Sequence, residues 1–95
     1  EQITGIDLVQ LQLRIAQGEK LPFSQEEIHM RGHAVEVRVY AEDPANNFLP
    51  DIGILKTYKR PQGHGIRVDD GFEQGMAVPF YYDPMISKMI CTAET

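Results

Sequence analysis

The sequence has no long run of apolar residues and only one cysteine. No stretch approaches the roughly 20 apolar residues that a membrane-spanning helix needs, and the start, Glu1-Gln2-Ile3, lacks the basic and apolar regions of a secretory signal. Cys91 alone cannot form an internal disulfide or a cysteine-rich zinc site. The sequence therefore predicts a protein without a membrane segment in a reducing compartment, the cytoplasm or, in a eukaryote, the mitochondrial matrix.

Positive charge is also scarce. Nine Lys and Arg against fourteen Asp and Glu give a net charge of −5, and nucleic acids or anionic membranes usually require a basic patch, so both partners are disfavoured. The composition, 42% hydrophobic and 24% charged, is that of a soluble globular protein. We find no repeat or linker and expect one domain over residues 1–95. Because the chain does not begin with Met, we expect a processed start or an excerpt from a longer protein.

The first eighteen residues predict an amphipathic helix over 4–17. Thr4 is the expected N-cap, Asp7 is expected to accept from the first-turn amides, and Gly18 is expected to end the helix. The wide apolar arc predicts contact with more than one layer, some of it outside this chain; a helix well buried in a small core is the alternative. The arc comprises Ile6, Leu8, Val9, Leu11, Leu13, Ile15 and Ala16.

The strand signals follow the helix. A two-residue alternation over 33–41 places Val35, Val37 and Val39 on one face and the polar residues on the other. A helix followed by short strands is the α+β pattern. The remaining predicted elements are a capped turn at 24–27, a short strand at 28–30, a loop over 42–53, short strands at 54–59, 65–69 and 76–80, and a last strand over 85–92.

Few local motifs carry chemistry. Gly63-His64-Gly65 lacks the remaining residues of a phosphate loop, and His29 and His33 would not face one metal ion from a strand and turn, so no metal site is expected. Arg38 is more informative, because a guanidinium on a rigid strand presents a fixed fork of donors to an oxyanion. The pattern alone favours a surface pair between Arg38 and Glu36 over that role.

Three blocks in order resemble biotin carboxylase, and together they cover essentially the whole chain. The most specific is 32–44, GHAVEVRVYAEDP; the others are 1–9 with 13–19, and 81–90, YYDPMISKMI. The resemblance implies the small C-terminal domain of that enzyme: an N-terminal helix packed on short antiparallel strands in a barrel-sandwich-like arrangement. It also implies an ATP-dependent ligase of an acyl-CoA or pyruvate carboxylase.

The implied reaction activates bicarbonate with ATP and carboxylates N1′ of biotin on a carrier protein. In the family, the ATP, magnesium and bicarbonate sites precede the position of Glu1, so none is expected here and the chain alone should be inactive. Implied partners are the protein's own N-terminal and ATP-grasp domains, a biotin carboxyl carrier domain, a carboxyltransferase component and a second copy in a homodimer. The final acceptor, and whether the carrier shares the chain, stay open.

The resemblance assigns roles to four residues. Arg38 matches the arginine that contacts the ureido oxygen of biotin, where a preorganised guanidinium would stabilise developing negative charge. Asp83 matches an aspartate near the same pocket, and we expect it to orient Arg38 by a charge-assisted hydrogen bond. His64 and Arg67 match a homodimer contact, although the family often has a bulky aromatic residue at His64. The alternatives are a binding module without catalysis, or a structural domain in which Arg38 only pairs with Glu36 and Asp83 lies elsewhere.

Overall fold

The computed structural model describes all residues from Glu1 to Thr95. They form two compact units, 1–34 with 92–95, and 35–91. The predicted mixture of one helix with several strands is confirmed. The elements are α1 (Leu8–Ala16), 3-10 turns at Gln25–Glu27 and Pro44–Asn46, β1 (His33–Tyr40), β2 (Glu42–Asp43), β3 (Leu49–Pro50), β4 (Gly53–Ile54), β5 (Ile66–Asp70), β6 (Ala77–Val78) and β7 (Met85–Ala93).

Helix α1 begins later than predicted. Its N-cap is Asp7, whose Oδ1 accepts a hydrogen bond from the Gln10 amide at 2.9 Å. Thr4 is therefore not the cap. Gly5 has a φ of +70°, a left-handed conformation that cannot continue a right-handed helix, and it separates the turn at Thr4 from α1.

The end of α1 follows the prediction. Gly18 has a φ of +89°, and its amide donates to the Ile15 carbonyl at 2.9 Å. The Glu19 amide donates to the Arg14 carbonyl at 3.1 Å, which completes the paired bonds of a Schellman motif. No helix of the chain is long and apolar enough to cross a bilayer.

The main sheet has the strand order β1-β7-β5. Strands β5 and β7 are antiparallel, with Arg67 opposite Ile90 and Asp70 opposite Ser87. Both β1 and β7 lie within one residue of their predicted bounds, because each has a long, unbroken strand pattern. The sheet thus puts the strand that carries Arg38 on one side of β7 and the strand that carries Arg67 on the other.

The shorter elements depart from the sequence prediction. The predicted loop over 42–53 contains a two-stranded pairing of β2 with β3, reached through Asn47 and Phe48, both with φ above +50°. The predicted strands at 54–59 and 76–80 shrink to the pairing of β4 with β6. No strand forms at 28–30, where the chain is irregular. The bounds of such short segments depend on tertiary contacts, which local patterns do not encode.

Apolar burial is small. Val78, 5% exposed, is the one buried hydrophobic residue, and no residue of α1 is buried. The alternative of a helix well buried in a small core is therefore wrong. On β1 the predicted apolar face is also exposed at Val35, Val37 and Val39. The apolar residues of α1 and β1 that the sequence pattern identifies are thus largely exposed in this chain.

Candidate functional site

Arg38 lies in the middle of β1 and points its charge into solvent. Its side chain is 62% exposed, and its Nε donates to Glu36 Oε1 at 3.3 Å. Glu36 and Tyr40 share its face because alternate residues of a strand point to the same side. Hydrogen bonds from Arg38 to Glu36, and then to Tyr40, raise the pKa of the guanidinium. Arg38 is therefore a permanent cation, held on one side by a carboxylate and open to a ligand.

Asp83 lies in the turn that leads into β7. Its Oδ1 accepts a hydrogen bond from the Met85 amide at 2.9 Å, which shapes the turn. The next residue, Pro84, accepts a hydrogen bond at its carbonyl from the Ala41 amide at 2.9 Å. Ala41 is three residues beyond Arg38, about 10 Å along an extended chain. The Asp83 turn is therefore fixed beside the end of β1.

The expected charge-assisted bond between Asp83 and Arg38 is absent from the structure. Arg38 pairs with Glu36 and Asp83 bonds within its own turn. Both observed bonds are local, because each joins two residues that are two positions apart in the sequence. The alternative of a structural domain predicts the Arg38–Glu36 contact that is observed. The same alternative also predicts that Asp83 lies away from Arg38. The Ala41–Pro84 bond instead keeps the Asp83 turn next to the strand of Arg38.

His64 and Arg67 lie on either side of the start of the edge strand β5. His64 is exposed in the turn before the strand. The Arg67 guanidinium binds Asp69 at two points, with Nε to Oδ1 at 2.8 Å and Nη2 to Oδ2 at 3.0 Å. The hydrogen bonds from Arg67 are the main reason that the pKa of Asp69 is lowered. This charged edge is separated from Arg38 by β7.

Sequence reasoning missed a buried polar cluster at the other end of β5. Asp70 Oδ2 accepts from the Tyr58 hydroxyl at 2.7 Å and from Arg60 Nε at 2.6 Å, and the Asp70 side chain is 7% exposed. These bonds, Tyr58 first, lower the pKa of Asp70, while burial raises the pKa of Tyr58. The sequence signal is Ser87, a polar residue in a strand whose side chains are mostly apolar, which lies opposite Asp70.

The chain has no group of three or more histidine, cysteine, aspartate or glutamate side chains that could hold a metal ion. What the arrangement offers chemically is an exposed guanidinium on β1, paired at its Nε with Glu36. Its N–H groups are donors of the kind that a carbonyl-type oxygen accepts.

Comparison with known families places these residues in context. Residues 36–95 match the family of the biotin carboxylase C-terminal domain. The chain belongs to this family, and the resemblance noted in its sequence is confirmed.

Relatives of known name extend the match to the whole chain. It is 52% identical over 95 residues to a biotin carboxylase of Halalkalibacterium halodurans, covering 100% of this chain and 21% of that protein. It is 53% identical over 94 residues to the mitochondrial methylcrotonoyl-CoA carboxylase subunit alpha of Mus musculus, covering 98% of this chain and 13% of that protein. The chain thus spans about a fifth or less of the length of these relatives.

Solved structures agree with the fold. The crystal structure of the biotin carboxylase subunit of a pyruvate carboxylase has a TM-score of 0.92 at 45% identity, covering 98% of this chain and 21% of that chain. The biotin carboxylase domain dimer of Hydrogenobacter thermophilus 2-oxoglutarate carboxylase, solved with MgADP, ADP and bicarbonate, has a TM-score of 0.91 at 46% identity. It covers 97% of this chain and 20% of that chain.

Proposed function

We propose that this chain is the C-terminal domain of an ATP-dependent biotin carboxylase, which activates bicarbonate and carboxylates N1′ of biotin held on a carrier protein. The observation that carries the proposal is the 52% identity to a biotin carboxylase along the full length of this chain. Family membership at this level of identity supports a shared reaction.

The names of the relatives support a role on the biotin side of the reaction. They include carboxylases of methylcrotonoyl-CoA, pyruvate and 2-oxoglutarate. These acceptors differ, whereas carboxylation of biotin is the step that such enzymes have in common. We therefore assign this domain to that shared step and leave the choice of acceptor to a carboxyltransferase component.

Arg38 is the proposed catalytic residue. Biotin supplies the nucleophilic N1′, and loss of its proton places negative charge on the adjacent ureido oxygen. The guanidinium is preorganised for that charge, because β1 fixes its backbone and Glu36 holds its Nε. Asp83 is the second proposed biotin-side residue, and the bond between Ala41 and Pro84 supports this by holding its turn beside β1.

The remaining parts of the enzyme are proposed to lie on other domains. ATP, Mg²⁺ and bicarbonate would bind the N-terminal and ATP-grasp domains, and this domain would complete a barrel-sandwich-like arrangement. The exposed apolar residues of α1 and β1 are of the kind that such neighbours cover. We assign the edge carrying His64 and Arg67 to a homodimer contact, and the compartment to the cytoplasm or the mitochondrial matrix.

A non-catalytic module of the same fold is the second candidate, and the Arg38–Glu36 contact favours it. Arg38→Ala in the complete gene product separates the two candidates. The catalytic role predicts a loss of about 10²–10³ in biotin-dependent ATP turnover, the usual cost of removing one donor to a developing oxyanion. Arg14→Ala is the matched control, since Arg14 also pairs with a surface glutamate, Glu19, at 2.6 Å.

In this comparison, both variants should keep the parent's circular dichroism spectrum. Equal, small effects of Arg38→Ala and Arg14→Ala on turnover would support the non-catalytic module and contradict the proposed function.

A further inference from the structure

A polar cleft opens beside the buried carboxylate of Asp70. Its volume, about 370 Å³, is within the range of small-molecule sites. Every lining side chain is polar or charged, and none belongs to a residue proposed to act on biotin. The lining residues are Tyr58, Lys59, Arg60, Gln62, Glu73 and Gln74. The cleft is therefore a candidate site for a polar ligand of another kind.

Asp70 fixes one of the two cations that line the cleft. Its Oδ2 accepts a hydrogen bond from Arg60 Nε at 2.6 Å and another from the Tyr58 hydroxyl at 2.7 Å. The Asp70 side chain is 7% exposed, whereas that of Arg60 is 49% exposed. A carboxylate below the surface thus holds the guanidinium by its Nε atom. The two terminal NH₂ groups of Arg60 are left as donors for a ligand oxygen.

The two chain segments that form the cleft are fixed to each other. The Tyr58 amide donates to Gln74 Oε1 at 3.3 Å. The Leu55 amide donates to the Met76 carbonyl at 3.0 Å, and the Gly75 amide donates to the Leu55 carbonyl at 2.8 Å. The segments are therefore held together without a ligand, which lowers the entropy cost of binding one.

The cleft presents more hydrogen-bond donors than acceptors. Because Gln74 Oε1 is occupied by the Tyr58 amide, the side-chain NH₂ group of Gln74 is left to donate. Arg60 and Lys59 add cationic donors from the other segment, and Glu73 is the one anionic side chain of the lining. Donors from two segments suit a tetrahedral phosphate, whose oxygens point in several directions, better than a planar carboxylate.

We propose that this cleft binds the phosphate group of a small molecule, with Arg60 and Lys59 as cationic donors and the Gln74 amide as a third donor. The inference goes beyond the proposed function and does not depend on the role of Arg38. Glu73 weakens the binding of a bare anion by repulsion. Its carboxylate can accept a hydrogen bond from a hydroxyl or amine group on the same small molecule.

The test measures native-state hydrogen exchange of the complete gene product with inorganic phosphate as the probe. Sodium chloride at the same ionic strength is the reference. Because a ligand stabilises the state that it binds, we expect phosphate to slow exchange saturably in the peptides that contain residues 58–62 and 73–76. Acetate at the same concentration should slow this exchange less, because its carboxylate is planar.

Three variants change the site in two directions. Arg60→Gln and Lys59→Gln should each raise the phosphate concentration needed for the effect about tenfold, as for loss of one charge-assisted hydrogen bond. Glu73→Gln should lower that concentration about two- to fivefold, since it removes the repulsion of a surface charge. Arg14→Gln is the matched control, because Arg14 is also held through Nε, by Glu19 at 2.6 Å, but does not line the cleft.

Lys59→Gln leaves the pair of Arg60 and Asp70 intact, so it tests the site even if Arg60→Gln fails to fold. The inference is overturned if phosphate slows exchange no more than chloride or acetate does. It is also overturned if phosphate acts equally on the parent and on all three lining variants, which is the result for an adventitious ion only. Biotin-dependent ATP turnover by the same preparations tests the proposed function separately, and its absence would refute that function without touching this inference.

Discussion

Replacing Gly32 by alanine is expected to weaken the attachment of the chain just before β1. Gly32 has a φ of +67°, and a Cβ at this position would lie 2.7 Å from the carbonyl oxygen of Ala93, at the end of β7. The substitution therefore imposes two separate costs, a left-handed backbone on a residue with a side chain and a collision with main-chain oxygen.

The two costs have different sizes. A left-handed conformation costs a non-glycine residue about 1–2 kcal/mol. Overpacking typically costs about 1–3 kcal/mol, and here the struck atom is backbone, which cannot rotate away. Together they predict that Gly32→Ala lowers the free energy of local opening by about 2–5 kcal/mol.

Two other glycines separate these costs. Gly5 has a φ of +70° but nothing within 4 Å of the added Cβ, so Gly5→Ala should show only the backbone cost. Gly71 has neither a left-handed φ nor a close atom, so Gly71→Ala should stay within about 0.5 kcal/mol of the parent.

Native-state hydrogen exchange on the complete gene product is the assay, because it reports local opening in a protein of several domains. For a loss of about 3 kcal/mol, amides in the peptides that contain Gly32 and Ala93 should exchange about 100-fold faster. If the amides around Gly32 in Gly32→Ala exchanged no faster than the amides around Gly5 in Gly5→Ala, the predicted collision with the Ala93 carbonyl oxygen would be refuted.

Three further predictions concern stability. Asp7→Ala should cost about 1 kcal/mol, measured by exchange of the α1 amides, because the cap on the Gln10 amide is lost. Val78→Ala should cost about 2 kcal/mol by the same method, since it removes buried methyl groups and leaves a cavity. The pKa of Asp70 is lowered, chiefly by Tyr58, so its contribution to stability is present above the unfolded-state pKa near 4 and lost as pH falls through the lower folded-state value. The midpoint temperature of unfolding should accordingly fall less for Asp70→Asn than for the parent when the pH is lowered from 6 to 3.

The sequence predicts best those elements that carry their own periodicity. Alternation places β1, and α1 ends just before Gly18, whose positive φ favours glycine at that position. The start of α1 is missed because nothing in the sequence shows that Gly5 adopts a left-handed conformation. Phe48, at φ +55°, is a bulky residue in a conformation that its type does not predict.

The candidate site likewise has one part that local sequence patterns predict and another part that they do not. The Arg38–Glu36 pair follows from the two-residue repeat of a strand and can be predicted locally. The hydrogen bond from the Tyr58 hydroxyl to Asp70 joins residues 12 positions apart, one in an irregular segment and one at the end of β5. Such a contact emerges only when the tertiary structure is known.

The most direct test of the central claim is ATP turnover by the complete gene product with bicarbonate and Mg²⁺, in the presence and absence of free biotin. The proposed function predicts ATP consumption stimulated by biotin, together with formation of carboxybiotin. ATP turnover that biotin does not change, with no carboxybiotin formed, would contradict it.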